Sequence, residues 1–160
     1  KGMFSIRDYS METEQGEILA LMTSSWVLYD IKQNKPIPVE RLQLEKHIVR
    51  ERAIEDKFAR LKLPDAPRHS TDIKIRKSDI DINRHVNNRI TIEWALEPVP
   101  DEISETYDLI DAEINFKGQA FFGDKIKSEL ELIDNKEQIR GIHHITNSGT
   151  GKSVYNYLED

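Results

Sequence analysis

The chain has 160 residues, 38% of them apolar and 32% charged, with a net charge of −6 and no cysteine. Such a composition suits a soluble globular protein of about one domain, or one small domain and part of another. It excludes disulfides, thiolate metal sites and a cysteine nucleophile, and the acidic balance argues against nucleic acid as a partner.

No apolar run approaches the roughly 18 residues of a membrane span, no signal peptide is visible, and the lack of cysteine fits the cytoplasm. The first thirty residues predict a β-hairpin. Phe4 and Ile6 alternate with polar neighbours, "TEQGE" supplies a turn, and the long apolar run "ILALMTSSWVLYD" follows. Its near-continuous hydrophobicity predicts a strand covered on both faces.

"KQNKPIP" then breaks the pattern. From Val39 to about Leu63, the residues Leu44, Ile48, Ile54, Phe58 and Leu61 recur at mostly three- and four-residue spacing, which predicts a helix. "LPDAPRHS" reads as a linker, with a boundary near residue 68. The division is therefore 1–38, a helical connector over 39–68, and a second unit over 69–160. Residues 40–68 carry eight Lys/Arg against six acids, a local +2 that leaves −8 for the rest. This stripe, with Arg50, Arg52 and Lys57, reads either as a solvated helix face or as a landing area for an acidic partner.

In the second unit "TDIKIRKSDIDIN" is extended, but its apolar positions change parity between Ile75 and Ile80, which requires a bulge or bend. "NRITIEWALE", residues 88–97, is a short helix candidate stopped by "PVP". Four strands follow: "YDLIDAEINF", "DKIKSELELI", "QIRGIHHIT" and "KSVYNYLE", the last two joined by "NSGTG". One helix against one mainly antiparallel sheet is an α+β layout. The start of the chain resembles the end of this unit, as a repeat whose first copy is cut short.

Two motifs mislead. "GTGKS" lacks the upstream glycine and the following helix of a phosphate loop, and reads as a turn. "DIDIN" offers Asp79, Asp81 and Asn83 at calcium-loop spacing, but Arg84 and Ile90 stand where that loop needs glycine and glutamate. His143 and His144 are adjacent, so on a strand they face opposite ways and cannot share a metal; no metal site is expected.

The stretch "DIDINRHVNN" is the candidate for chemistry. On an extended segment Asp81, Asn83 and His85 share a face, and Asn87 or Asn88 can cap a helix that starts there. Two readings stay open on spacing alone: a polar strand end before a capped helix, or a site where His85 takes a proton from water beside a helix N-terminus that favours an oxyanion.

The longer stretch "SDIDINRHVNNRITIEWALEPVP" resembles the signature of acyl-acyl-carrier-protein (acyl-ACP) thioesterases, through Asp81, Asn83, His85, Val86, Asn87, Asn88, Trp94, Leu96, Glu97 and Pro100. "FSIRDYSMETEQGEILALMTSSWVLYDIKQNKPIPV" is similar to that family's first repeat from its middle onward. The resemblance implies a tandem hot-dog fold, with the second repeat complete and the N-terminal half of the first absent. It implies hydrolysis of fatty acyl chains from the phosphopantetheine of acyl carrier protein, with Asp81, Asn83 and His85 catalytic, Asn87, Asn88 and Gln119 in support, and no cofactor. Arg50, Arg52, Lys57 and Trp94 are the residues expected to meet substrate or carrier, and a homodimer is compatible with this set. The chain departs from the pattern at "FKGQA", where Gln119 and Ala120 stand in place of an acid and, in plant members, a cysteine. Arg89 and Thr91 also replace an apolar residue and a tyrosine. The alternatives are an acyl-coenzyme A thioesterase of the hot-dog type and a non-catalytic acyl-binding or assembly module.

Overall fold

The computed structural model describes residues 2–30, 32–33, 35–43, 48–135 and 138–159, the last five as backbone. It divides into two compact units, Lys1–Ala59 and Arg60–Asp160, so the division falls ahead of the linker expected near residue 68.

In the first unit β1 (Phe4–Glu12) and β2 (Ile18–Val27) form the expected antiparallel hairpin, Phe4 opposite Val27, with a bulge at Met11/Glu12. Its turn closes through Thr13 N–H to the Glu17 carbonyl at 2.8 Å and needs Gly16 at φ 86°. β3 (Tyr29–Asp30) pairs with β4 (Lys35–Pro36). The strand expected to be covered on both faces is not: none of the described residues of this unit is buried, and Phe4 and Met22 are more than half exposed. An apolar run alone does not distinguish a covered strand from one that lacks its cover.

The expected helix over 39–63 is also absent among the described residues, apart from one 3₁₀ turn, Val39–Leu42, which ends at Gln43 with φ 51°. Leu44 and the positions to 47 lie outside the described residues. Two causes are local. Phe58 sits at φ 51°, a left-handed conformation no α-helix passes through. The Asp8 carboxylate on β1 accepts the Ala53 N–H at 2.9 Å and the Arg52 Nε–H at 2.9 Å, tying this segment to the hairpin instead of to its own preceding turn. Arg52 also donates to the Thr23 hydroxyl at 2.8 Å.

The second unit holds β5 (His69–Lys74), a 3₁₀ turn (Lys77–Asp79), α1 (Asn88–Leu96), α2 (Asp101–Thr106), β6 (Ala112–Phe116), β7 (Lys125–Asp134), β8 (Ile139–Asn147) and β9 (Lys152–Glu159). Its five strands form one antiparallel sheet in the order β5-β7-β8-β9-β6. Alternation works as expected on β7: Ile126, Ser128 and Leu130 are buried, while Lys127, Glu129 and Glu131 lie on the other face. His143 is fully buried, and His144 on the opposite face pairs through Nε2 with the Ser153 hydroxyl at 2.7 Å. The bend required between Ile75 and Ile80 is the 3₁₀ turn.

α1 lays Ile90, Trp94 and Ala95 on the core that Ile126, Ile145 and Val154 of the sheet complete. One helix packed on one antiparallel sheet is the hot-dog arrangement expected of residues 69–160. α2 was not expected, because "PVP" reads as a stop; Pro100 instead precedes a new helix whose first turn carries Asp101 and Glu102, favourable at a helix start. Trp94 is 4% exposed and belongs to this core. An aromatic at this depth packs helix on sheet.

Two outcomes are expected. Trp94→Ala should lower unfolding free energy by about 3–5 kcal/mol in urea titration; a loss under about 1 kcal/mol would contradict the core role. Hydrogen bonds from Thr23 and Arg52 and the Ala53 N–H hold the Asp8 carboxyl down at about 2, below its ordinary 3.8. Because the folded value is the lower one, the tie between β1 and residues 52–53 is at full strength above about pH 4 and is lost as pH falls through about 2. The Ala53 amide resonance should titrate with that low midpoint and cease to do so in Asp8→Asn, whereas a midpoint near 4 would mean the tie does not form.

Candidate active site

The segment after β5 is not the extended strand end its alternation suggests. Ile80 and Val86 form an isolated antiparallel bridge, Asp81 N–H donates to the His85 carbonyl at 2.9 Å, and Arg84 N–H donates to the Asp81 carbonyl at 3.0 Å. Residues 80–86 are thus a small closed hairpin, with Arg84 at φ 67° and Ile82 at its tip 98% exposed. The tight turn, rather than the two-residue period of a strand, gathers the polar side chains.

Asp81 is the centre of that group. Its Oδ1 accepts the Asn83 N–H at 2.7 Å, the local bond by which aspartate favours turns, and its Oδ2 lies 3.4 Å from the Asn83 side-chain nitrogen. Oδ1 also faces His85 Nδ1 at 3.6 Å. Asp81 and His85 are both partly buried, and the Phe121 ring meets the imidazole edge-on at 6.4 Å between centroids. The structure therefore brings Asp81, Asn83 and His85 together, with a carboxylate on the Nδ1 side of the imidazole.

Asn87 caps α1. Its backbone is extended, its side-chain oxygen accepts the Arg89 N–H at 2.9 Å, and its carbonyl accepts the Ile90 N–H at 3.0 Å. The cap uses two of the first donors of the helix, and the Asn88 N–H is left with no acceptor among the described residues. Thr91 is buried and turns its hydroxyl onto the Asn87 carbonyl at 3.4 Å.

On the far side of the hairpin Val86 N–H donates to the Ala120 carbonyl at 2.8 Å. Gln119, the residue before, is exposed and adjoins the hairpin by this bond. The path there needs a bulge after β6, where Lys117 and Gly118 both donate to the Val154 carbonyl at 3.0 Å. A side chain at Gly118 would meet the Ser153 carbonyl at 3.3 Å.

Asp79, set aside in the sequence as a failed calcium ligand, is 2% exposed. Its carboxylate accepts the Arg76 N–H at 2.7 Å and lies 3.1 Å from the Arg76 guanidinium, and its carbonyl accepts the Asn87 N–H at 3.0 Å. It thereby holds both ends of the loop that carries the polar group. The sequence signal was a basic residue, Arg76, three positions ahead of an aspartate followed by isoleucine. Of the remaining expected residues, Arg50 and Lys57 are exposed in the first unit, and Arg52 is engaged by Asp8 there.

The profile of the acyl-ACP thioesterase C-terminal domain matches residues 64–157. The chain belongs to the acyl-ACP thioesterase family. It is 37% identical over 111 residues to acyl-[acyl-carrier-protein] hydrolase FATB2, chloroplastic, of Cuphea viscosissima, a match covering 64% of this chain and 26% of that protein. Over 111 residues it is 35% identical to the palmitoyl-acyl carrier protein thioesterase, chloroplastic, of Cuphea hookeriana, again covering 64% and 26%. The structure of the 12:0-ACP thioesterase from Umbellularia californica superposes with a TM-score of 0.84 at 24% identity, over 96% of this chain and 59% of that one, and shows the shared fold. The alignments with these curated relatives of the family thus span about a quarter of their length.

Removing the Asp79 carboxylate should loosen the loop at both ends. Asp79→Ala is expected to cost about 1–3 kcal/mol in urea unfolding, since it leaves the Arg76 N–H without its acceptor, and to shift the Asn87 and His85 amide resonances. An unmoved Asn87 amide would show that the loop is held without it.

Proposed function

We propose that this chain supplies the hydrolytic centre of a thioesterase that releases fatty acids from acyl carrier protein. The observation that carries the reading is the Asp81–His85 juxtaposition, three residues ahead of Asn88, whose N–H starts α1 with no acceptor among the described residues. An Nδ1–H directed at the Asp81 carboxylate leaves His85 Nε2 as the acceptor. It takes a proton from water as the water oxygen bonds to the thioester carbonyl carbon. The Asn88 N–H, at the positive end of the helix, stabilises the oxyanion. The C–S bond then breaks, and the thiolate regains the proton from the imidazolium. Asn83 keeps Asp81 aligned and Asn87 holds the helix start in place; Gln119 can orient water but cannot accept its proton. This sequence of steps calls for no cofactor or metal.

Relatives named for palmitoyl and 12:0 substrates support a fatty acyl chain, without indicating a length. An acidic carrier suits the exposed Arg50 and Lys57, whereas Arg52 already serves Asp8. The cysteine-free composition supports a reducing compartment; cytoplasm is the reading kept, although the relatives are named as chloroplastic. Among the described residues no helix is long and apolar enough to cross a membrane.

His85→Ala should lower kcat for acyl-ACP by about 10²–10⁴-fold, the usual share of a general base, with little change in KM. A parental rate in that variant would move the chemistry elsewhere. A parent protein that binds acyl chains without turning them over would instead mark a non-catalytic module. Faster hydrolysis of acyl-coenzyme A than of acyl-ACP would reassign the substrate. Arg50→Ala/Lys57→Ala should raise KM for acyl-ACP alone; an unchanged KM would remove this stripe from carrier docking.

A further inference from the structure

His85 and Phe121 meet because their buried neighbours are tied to each other. Val86 and Ala120 are both buried, and the Val86 N–H donates to the Ala120 carbonyl at 2.8 Å. With those two side chains turned inward, His85 and Phe121 emerge beside one another, their rings 6.4 Å apart between centroids and inclined at 82°. The backbone of Phe121 is held on both sides. Its N–H donates to Asp124 Oδ2 at 2.9 Å, its carbonyl accepts the Asp124 N–H at 3.0 Å, and Gly123 at φ 97° completes the turn. The ring itself is nearly half exposed. A ring so exposed gives up little burial when it is removed, so its contact with His85 can be tested apart from the core.

The imidazole needs such a contact. A histidine ring turns about its last torsion in a broad, roughly two-fold well, and each half-turn exchanges one ring edge for the other. Asp81 Oδ1 stands 3.6 Å from Nδ1, beyond hydrogen-bond distance. Its charge selects which edge faces it, but it does not fix the ring plane. An aromatic neighbour does: a perpendicular pair is favoured by the charge distribution of the two rings, and the inclination of Phe121 to the imidazole is that arrangement.

We infer that Phe121 is a positioning residue for His85: its ring fixes the plane of the imidazole, so that Nδ1 stays towards Asp81 and Nε2 stays towards the attacking water. The inference rests on the thioesterase reading above and adds to it a residue that acts through His85 without touching the reacting atoms.

The test follows kcat and KM for acyl-ACP in Phe121→Ala and Phe121→Tyr, with Phe122→Ala as the exposed neighbouring ring on the same turn. Phe121→Ala should lower kcat about three- to ten-fold, the range an aromatic pair supplies, with KM changed less than about two-fold. Phe121→Tyr keeps the ring and should hold kcat within about two-fold of the parent, as should Phe122→Ala. In a His85→Ala background the further change Phe121→Ala should cost nothing, since the group it positions is gone. A second signature does not depend on turnover. The imidazole nitrogen NMR shifts of His85 should report one neutral tautomer in the parent, protonated at Nδ1, and a mixture of tautomers in Phe121→Ala. A raised KM at unchanged kcat would make Phe121 a substrate contact and overturn the inference. So would an equal loss in Phe122→Ala, a failure of tyrosine to keep the rate, an added loss in the His85→Ala background, or no change. If the parent does not hydrolyse acyl-ACP, the thioesterase reading fails by itself. The positioning role is then judged by the tautomer: loss of the single form in Phe121→Ala supports it, and the same nitrogen shifts in parent and variant reject it.

Discussion

A carboxylate buried to the depth of Asp79 loses several kcal/mol of hydration unless donors replace the water. Arg76 supplies them through its N–H and its guanidinium, and the geometry required by that exchange bends the chain out of β5. The same residue then accepts the Asn87 N–H on its carbonyl. From this anchor the loop is closed by successive rungs: Asp79 to Asn87, Ile80 to Val86, and Asp81 to His85. Each rung narrows the freedom of the next, so the spacing of Asp81 and His85 follows from a carboxylate that touches neither. A site on an exposed loop gains the precision of a strand pair in this way, without being part of the sheet.

The loop is also fixed to the core at one point. Val86 is buried among the residues that join α1 to the sheet, and its N–H reaches the Ala120 carbonyl. The neighbours of Val86 on both sides are therefore set by a position that cannot move without opening the core. His85 precedes it and faces Phe121; Asn87 follows it and starts the helix. The thermodynamic cost of ordering the polar turn is thus offset by apolar packing next to it.

Much of this was legible in the sequence because it depends on short-range rules. The hairpin of the first unit, the capped helix at Asn87, the alternation on β7 and the opposed faces of His143 and His144 each follow from a period or a cap. What was not legible depends on partners distant in the chain or on turn closure. The helix expected over 39–63 ignored Asp8, forty-five residues before Ala53, whose carboxylate takes a backbone donor there. The strand end expected at 81–85 ignored an αL residue, Arg84, which no residue type other than glycine or asparagine announces. The polar group was found for an incomplete reason: its members share a site because a turn closes, not because a strand alternates.

Gln119 stands one residue before the carbonyl that holds Val86. An amide at that position can hold a water but has no lone pair basic enough to take its proton. Asp81 is basic in principle, yet its oxygens already face the Asn83 N–H, the Asn83 amide and His85 Nδ1. Those contacts hold the carboxylate in place within the turn. In the proposed hydrolysis the imidazole is the group that both accepts a proton and returns it. A thiolate leaving group needs a proton back at the end of the proposed reaction, and His85 Nε2 returns the one it took. In that proposal the amide at 119 concentrates on one imidazole the work that an acid at that position could have shared.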